Sequence, residues 1–135
     1  MSRAATMIDA HPHTAGLDTT LHSDTIDVLV EAARAARQCA DACIHEAEPM
    51  TEVISITLDA ADIASATTGI VIRLTRRESS IATIAACREV LRACAEVCRQ
   101  HGMHLRHCAA CAEVCERAED LCLQMEASLR ARAAA

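Results

Sequence analysis

The sequence predicts an all-α chain folded as an antiparallel up-down-up-down four-helix bundle. Three observations predict it. The 135 residues are rich in alanine and hold only three glycines and two prolines, so helix formers dominate and turn signals for strands are scarce. Apolar residues recur at steps of three and four along four separate stretches, each the mark of one buried helix face. There is no Phe, Tyr or Trp. The interior must therefore be filled by Ile, Leu, Val, Ala, Met and Cys, whose small side chains let helices approach closely. The length suits one domain with a core of ordinary size.

Residues 1–21 are polar, contain His11-Pro12-His13 and Gly16, and read as a flexible N-terminal tail. The bundle spans 22–130. Its first helix begins after Ser23 or Asp24, either of which can cap it, and runs to about Glu46. Val28, Ala32, Ala36, Cys39 and Cys43 mark its buried face. The second helix starts near Pro49, a residue suited to a first turn, and runs to about Leu74. Val53, Ile56, Ala60, Ile63, Thr67, Ile70 and Leu74 form its apolar stripe, and it carries no cysteine. Gly69 within it is expected to mark a close helix contact. After the polar turn Arg76–Ser80 the third helix runs from about Ile81 to His101, with Gly102 expected as a left-handed stop. The fourth runs from about Met103 to Arg130, and 131–135 are expected to fray.

Composition excludes several classes. Thirteen basic against 19 acidic residues give a net charge of −6. With no basic patch and no aromatic side chain to stack on a base, nucleic-acid binding is not expected. No apolar run approaches the roughly 20 residues of a membrane span, and the N-terminus lacks an apolar signal segment. A cytoplasmic location without membrane attachment is the expectation. No enzyme is expected either: no Ser/His/Asp set or convergent carboxylate pair can be placed, and Glu96, Glu113 and Glu116 read as solvated helix faces.

The cysteines carry the chemistry. There are nine, an odd number, so a complete set of internal disulfides is impossible. They sit inside helix-forming sequence, and in a reducing compartment they remain thiols. At about 100° per residue, Cys94 lies about 20° from Cys87, and Cys98 about 40° from Cys94. On the last helix Cys108, Cys111, Cys115 and Cys122 span about 60°. Cys39 and Cys43 repeat the pattern on the first. Buried free cysteine often serves only as a small core hydrophobe, but nine on three stripes, opposite faces rich in Arg and Glu, point to a shared metal lining. Thiolates suit Cu(I), zinc and iron–sulfur clusters. Zinc asks for four ligands in one closed site, whereas a long row of i,i+4 pairs supplies many two- or three-coordinate positions, which favours Cu(I). The C-x2-C-x2-C motif of many iron–sulfur proteins is missing. His101 and His104 lie in line with the stripes and are read as ligands at the open end; Met103 and His107 lie in the same turn. His11 and His13 read as solvated tail residues.

The run Cys94-Ala-Glu-Val-Cys98-Arg-Gln-His101-Gly-Met-His104-Leu-Arg-His107-Cys108-Ala-Ala-Cys111-Ala-Glu-Val-Cys115 resembles the four-helix-bundle copper storage proteins of the cytosolic branch, over roughly Asp24 to Met125. The resemblance implies that cuprous ions are sequestered on Cys39, Cys43, Cys87, Cys94, Cys98, Cys108, Cys111, Cys115 and Cys122, with His101 and His104 at the mouth. It implies a homo-oligomer, commonly a tetramer, with copper ions as ligand and a copper chaperone or exporter as candidate partner. The chain departs from the family on the second helix, where Val53, Thr57, Ala60 and Ala64 hold the positions facing the interior, and at Leu91 and Ala118, which interrupt the thiol rows. Two other readings stay open: a zinc- or redox-active thiol bundle, suggested by Cys108-x2-Cys111, and a structural or interaction bundle with little metal binding.

Overall fold

The periodicity read from the sequence becomes four long helices and one short one in the computed structural model, which describes residues 1–14, 16–73 and 76–134, the side chains of 133 and 134 excepted. The helices are α1 (Arg3–Asp9), α2 (Thr19–Ile44), α3 (Thr51–Val71), α4 (Arg77–His101) and α5 (Arg106–Ala134), and the described residues contain no strand. The long helices close a ring. α2 packs on α3 and α5, α4 packs on α3 and α5, and among the described residues α1 packs only on α2. Polar contacts tie neighbours together at the rim: Arg37 donates to Ser65 Oγ across α2 and α3 at 2.9 Å. Arg88 donates to Glu126 across α4 and α5 at 3.2 Å, and Arg99 pairs with Glu116 on the same two helices.

The N-terminal segment differs from the expected tail. Ser2 Oγ accepts the Ala5 N–H at 3.1 Å and starts α1, whose Ile8 is 4% exposed. A helix of seven residues is too short to declare itself by periodicity, and a single buried isoleucine holds it down. The chain turns back through Gly16, which adopts φ 77°. α2 then starts earlier than expected, because Asp18 rather than Ser23 or Asp24 caps it, accepting the Leu21 N–H at 3.0 Å. At the other end α5 stays helical through Ala134 instead of fraying after Arg130, consistent with the high helix propensity of its terminal alanines. Residue 135 and Leu74 lie outside the described residues.

Two glycines behave differently from their sequence reading. Gly69 has nothing within 4 Å of the position a Cβ would occupy, so it marks no close helix contact. Gly102 has φ −66°, in the right-handed region, so it is not a left-handed stop. Its role is space: a Cβ there would lie 3.2 Å from Ala109 Cα and 3.3 Å from Ala109 Cβ, too close for comfort. The absent side chain lets the α4–α5 turn fold against the first turn of α5.

The core is a column of small residues. Val28, Leu29, Ala36, Val53, Ala64, Ile84, Leu91 and Ala118 are fully buried together with most of the cysteines. On α3 the inward positions are Val53, Thr57, Ala60, Ala64, Thr67 and Val71, whereas Ile56, Ile63 and Ile70 of the predicted stripe are only half-buried. The narrow interior takes the smaller side chains and leaves the isoleucines on the flanks. Leu58 on α3 and Ile72 just past its end are exposed, on an outer side that also carries Glu52, Ser55, Asp59 and Asp62. By length and mean hydropathy (1.2) α3 reaches the range of a membrane span, although it packs here as one wall of the bundle.

Candidate metal centre

All nine cysteines are buried and unpaired by disulfides. Their placement follows from the helical register. α4 contributes Cys87, Cys94 and Cys98, α5 contributes Cys108, Cys111, Cys115 and Cys122, and α2 contributes Cys39 and Cys43 from the same face that buries Ala32 and Ala36. Each stripe points into the ring, so sulfur atoms from different helices meet. Cys115 Sγ is 3.8 Å from Cys94 Sγ, Cys94 Sγ is 4.0 Å from Cys98 Sγ, and Cys39 Sγ is 3.9 Å from Cys108 Sγ.

These contacts resolve into three overlapping groups whose donor atoms lie within 4.8 Å of one another: Cys94–Cys111–Cys115, Cys39–Cys98–Cys111, and Cys39–Cys43–Cys108 with His107. Cys39 and Cys111 each belong to two groups, which joins the three into one continuous lining. Cys87 and Cys122 stand apart. Their thiols interact with each other, and the Thr67 hydroxyl lies against Cys87. Leu91 and Ala118, both fully buried, occupy the gap between this pair and the larger cluster.

The histidines are placed differently from the sequence reading in one respect. The group facing the sulfurs is His107, whose Nδ1 lies 3.3 Å from Cys39 Sγ and 3.6 Å from Cys108 Sγ. Its Nε2 donates to Glu46 Oε1 at 3.0 Å, so Nδ1 is the nitrogen left facing the thiols. His101 is half-buried beside Cys98, where its charge favours the thiolate. His104 is exposed, Met103 is 91% exposed, and neither His101 nor His104 falls in any of the three groups. His104 and Met103 sit in the turn between α4 and α5, where no helical register points them inward. His107 is already on the first turn of α5, next to Cys108, and Glu46 just past α2 fixes its ring; that helical register is the sequence signal for His107, whereas nothing local singles out Glu46.

The thiols perturb one another strongly. Hydrogen bonds with Cys111 and Cys98, then burial, push Cys39 up, while Cys98 is pulled down by bonds from Cys111, Cys39 and Cys94. Burial, reinforced by the neighbouring Cys43, pushes Cys108 up to about 12. In the second pair, Cys122 is held up by Cys87 and by burial, and Cys87 is lowered by the bond from Cys122. A thiolate in this lining is stabilised mainly by S–H groups donating to it, with smaller help from His101 at Cys98 and Thr67 at Cys87. A soft cation that replaces those protons relieves the mutual repulsion of several thiolates at once.

A helical bundle with a continuous sulfur lining, met at one end by an imidazole, is a soft-metal-binding bundle. The chain belongs to the copper storage protein family, whose profile matches residues 18–127. Among solved structures it is similar to the copper storage protein Ccsp from Streptomyces lividans loaded with ten copper equivalents: 29% identity, TM-score 0.89, 93% of this chain and 98% of that one. The five-copper structure of that cytosolic protein is 31% identical over 80% of this chain and 93% of its own, with a TM-score of 0.78. A histidine-to-alanine variant of Ccsp matches at 32% identity and TM-score 0.82, covering 85% and 99%. No match is found among curated proteins.

Proposed function

We propose that this chain sequesters copper as Cu(I) on the thiolates of its core, as a store that binds without catalysing a reaction. The observation that carries the reading is the set of three overlapping donor groups built from seven cysteines and His107. Two- and three-sulfur positions suit the low coordination of Cu(I), and the mutual perturbation of the thiols favours their replacement by a soft ion. Cys87 and Cys122 supply a separate two-sulfur position, and His101 lies beside Cys98 as a further donor at the mouth. His104 is kept as a surface ligand that captures ions before they reach the sulfurs.

The remaining parts of the reading rest on family likeness supported by particular features. The four long helices run alternately up and down, in keeping with their ring of neighbours and short connections. The cytosol is the compartment, since Ccsp is described as cytosolic and all nine cysteines here are free thiols. A homotetramer is the assembly, by family likeness, with the exposed Leu58 and Ile72 as apolar side chains an interface could cover. A copper chaperone delivers the ion or an exporter receives it.

The test is an anaerobic titration of reduced, metal-free protein with Cu(I) against a chromophoric chelator. Several ions per chain are expected to resist the chelator, on the order of half the number of thiols when two sulfurs share each ion. Fewer than about two would overturn the storage reading. Without aromatic residues the thiolate-to-copper absorption in the near ultraviolet rises from a nearly flat baseline.

A further inference from the structure

One of the three donor groups differs in kind from the other two. Cys94–Cys111–Cys115 and Cys39–Cys98–Cys111 are all-thiol triads. The outermost group has four donors, Cys39, Cys43, Cys108 and His107, drawn in pairs from α2 and α5. Four is more than low-coordinate Cu(I) requires, and three thiolates with one imidazole are a familiar donor set for tetrahedral zinc.

The separations can be compared with that geometry. Zinc–sulfur bonds of about 2.3 Å and zinc–nitrogen bonds of about 2.05 Å, set at tetrahedral angles, put sulfur atoms about 3.8 Å apart and sulfur and nitrogen about 3.6 Å apart. Here Cys39 and Cys108 sulfurs are 3.9 Å apart. His107 Nδ1 is 3.3 Å from one and 3.6 Å from the other. Three edges of the tetrahedron are thus within a few tenths of an ångström of their liganded lengths, and Cys43 Sγ lies within 4.8 Å of the other three donors. The imidazole is also oriented. Glu46 accepts its Nε2 proton at 3.0 Å, which fixes the ring and presents the Nδ1 lone pair, the carboxylate–histidine–metal arrangement that strengthens imidazole ligands.

We infer that Cys39, Cys43, Cys108 and His107 form a zinc(II) site at the mouth of the bundle, with Glu46 as the residue that positions His107. Binding releases one proton from each of the three thiols to solvent, so the ion with three thiolates and a neutral imidazole carries a net charge of −1. The site does not depend on the copper function, but it touches it. Cys39 also belongs to the Cys39–Cys98–Cys111 triad, so its thiolate couples the two sites, bridging zinc here to copper there or weakening its hold on one when it binds the other. Zinc held at the mouth acts as a plug that an incoming soft ion must displace.

The test uses the full-length reduced protein, free of metal and oxygen, and the ions themselves. Zinc is titrated against a chromophoric zinc chelator, and cobalt(II) is added separately as a spectroscopic reporter. The expected result is one zinc per chain, and cobalt bands of tetrahedral intensity with sulfur-to-cobalt charge transfer. His107→Ala and Cys108→Ser should each lower the zinc affinity more than tenfold and weaken the tetrahedral cobalt spectrum. Glu46→Ala should lower affinity by about tenfold to a hundredfold, with Glu46→Gln recovering part of it. Cys94→Ser, outside the tetrad, should leave zinc binding unchanged, and circular dichroism confirms that each variant is folded. A protein that takes up no zinc, an octahedral cobalt spectrum, or zinc binding indifferent to His107→Ala would overturn the site. Failure of these arms with normal copper uptake removes the zinc site and leaves the storage reading standing; zinc uptake without copper uptake does the reverse.

Discussion

Cys111 is the sulfur whose loss should matter most. It is 1% exposed and is shared between Cys39–Cys98–Cys111 and Cys94–Cys111–Cys115, so Cys111→Ala dismantles two three-sulfur groups together. Cys122→Ala, by contrast, breaks only the isolated partnership with Cys87. If the wild-type chain holds about four ions against a competing chelator, the first variant should lose about two and the second about one. Ions left on the remnants of the triads are two-coordinate and should yield to lower chelator concentrations. Both substitutions delete one buried sulfur, so each should cost about 1 kcal/mol of stability, or roughly 4 °C in Tm. The matched thermal cost separates a ligand effect from a folding effect. Copper retained per chain is read from the chelator absorbance, and Tm from circular dichroism on metal-free samples. Equal copper losses from the two variants, or none from Cys111→Ala, would refute the idea that one sulfur joins two sites.

Two further outcomes are expected. His22 is 3% exposed, its Nε2 lies 2.6 Å from Val71 O, and burial, partly offset by that bond and reinforced by the nearby Arg132, lowers its pKa; Arg73 and Arg77 line the same small cavity. A histidine kept neutral in the fold but protonated when unfolded makes the unfolded chain bind more protons, so stability should fall as pH drops below about 6.5. His22→Gln should flatten that slope in urea denaturation at pH 7.5 and 5, and an unchanged slope would count against it. On α3, Thr67 Oγ1 is buried with no nitrogen or oxygen partner and lies against the Cys87 thiol. Thr67→Cys should convert the Cys87–Cys122 pair into a three-sulfur site and raise the number of chelator-resistant ions by about one, at a stability cost of roughly 1 kcal/mol. Unchanged retention would show that this position does not face the pair.

The sulfur lining was legible in the sequence because helical rotation is a property of spacing alone. Cys94 and Cys98, or Cys111 and Cys115, share a face whatever surrounds them, and the structure buries all nine cysteines. The inward positions of α3 at Val53, Thr57, Ala60 and Ala64 followed in the same way. What spacing could not supply was the partner across the gap. The register of α5 sets His107 beside Cys108, but its contact with Cys39 exists only once α2 packs there, and Glu46 stands out only once the chain leaving α2 passes the ring, 61 positions away in sequence. His104 lies away from the lining for the opposite reason: the helical rate that aligns it with the stripe does not run through the turn between α4 and α5. The short α1 was hidden because seven residues show no clear period, and it is seated mainly by Ile8, with Ala4 packed beside it.

Leu91 and Ala118 divide the interior into unequal rooms. Cys94 and Cys87 are seven residues apart, about 10 Å along the axis, and so are Cys115 and Cys122. That is several times the length of a copper–sulfur bond, so no ion can hold the upper and lower thiols at once. Cargo moving inward must release its last ligand and cross a hydrocarbon stretch before finding the next. The far chamber should therefore fill late and empty slowly, keeping a trace of past exposure after the near one has re-equilibrated with its surroundings.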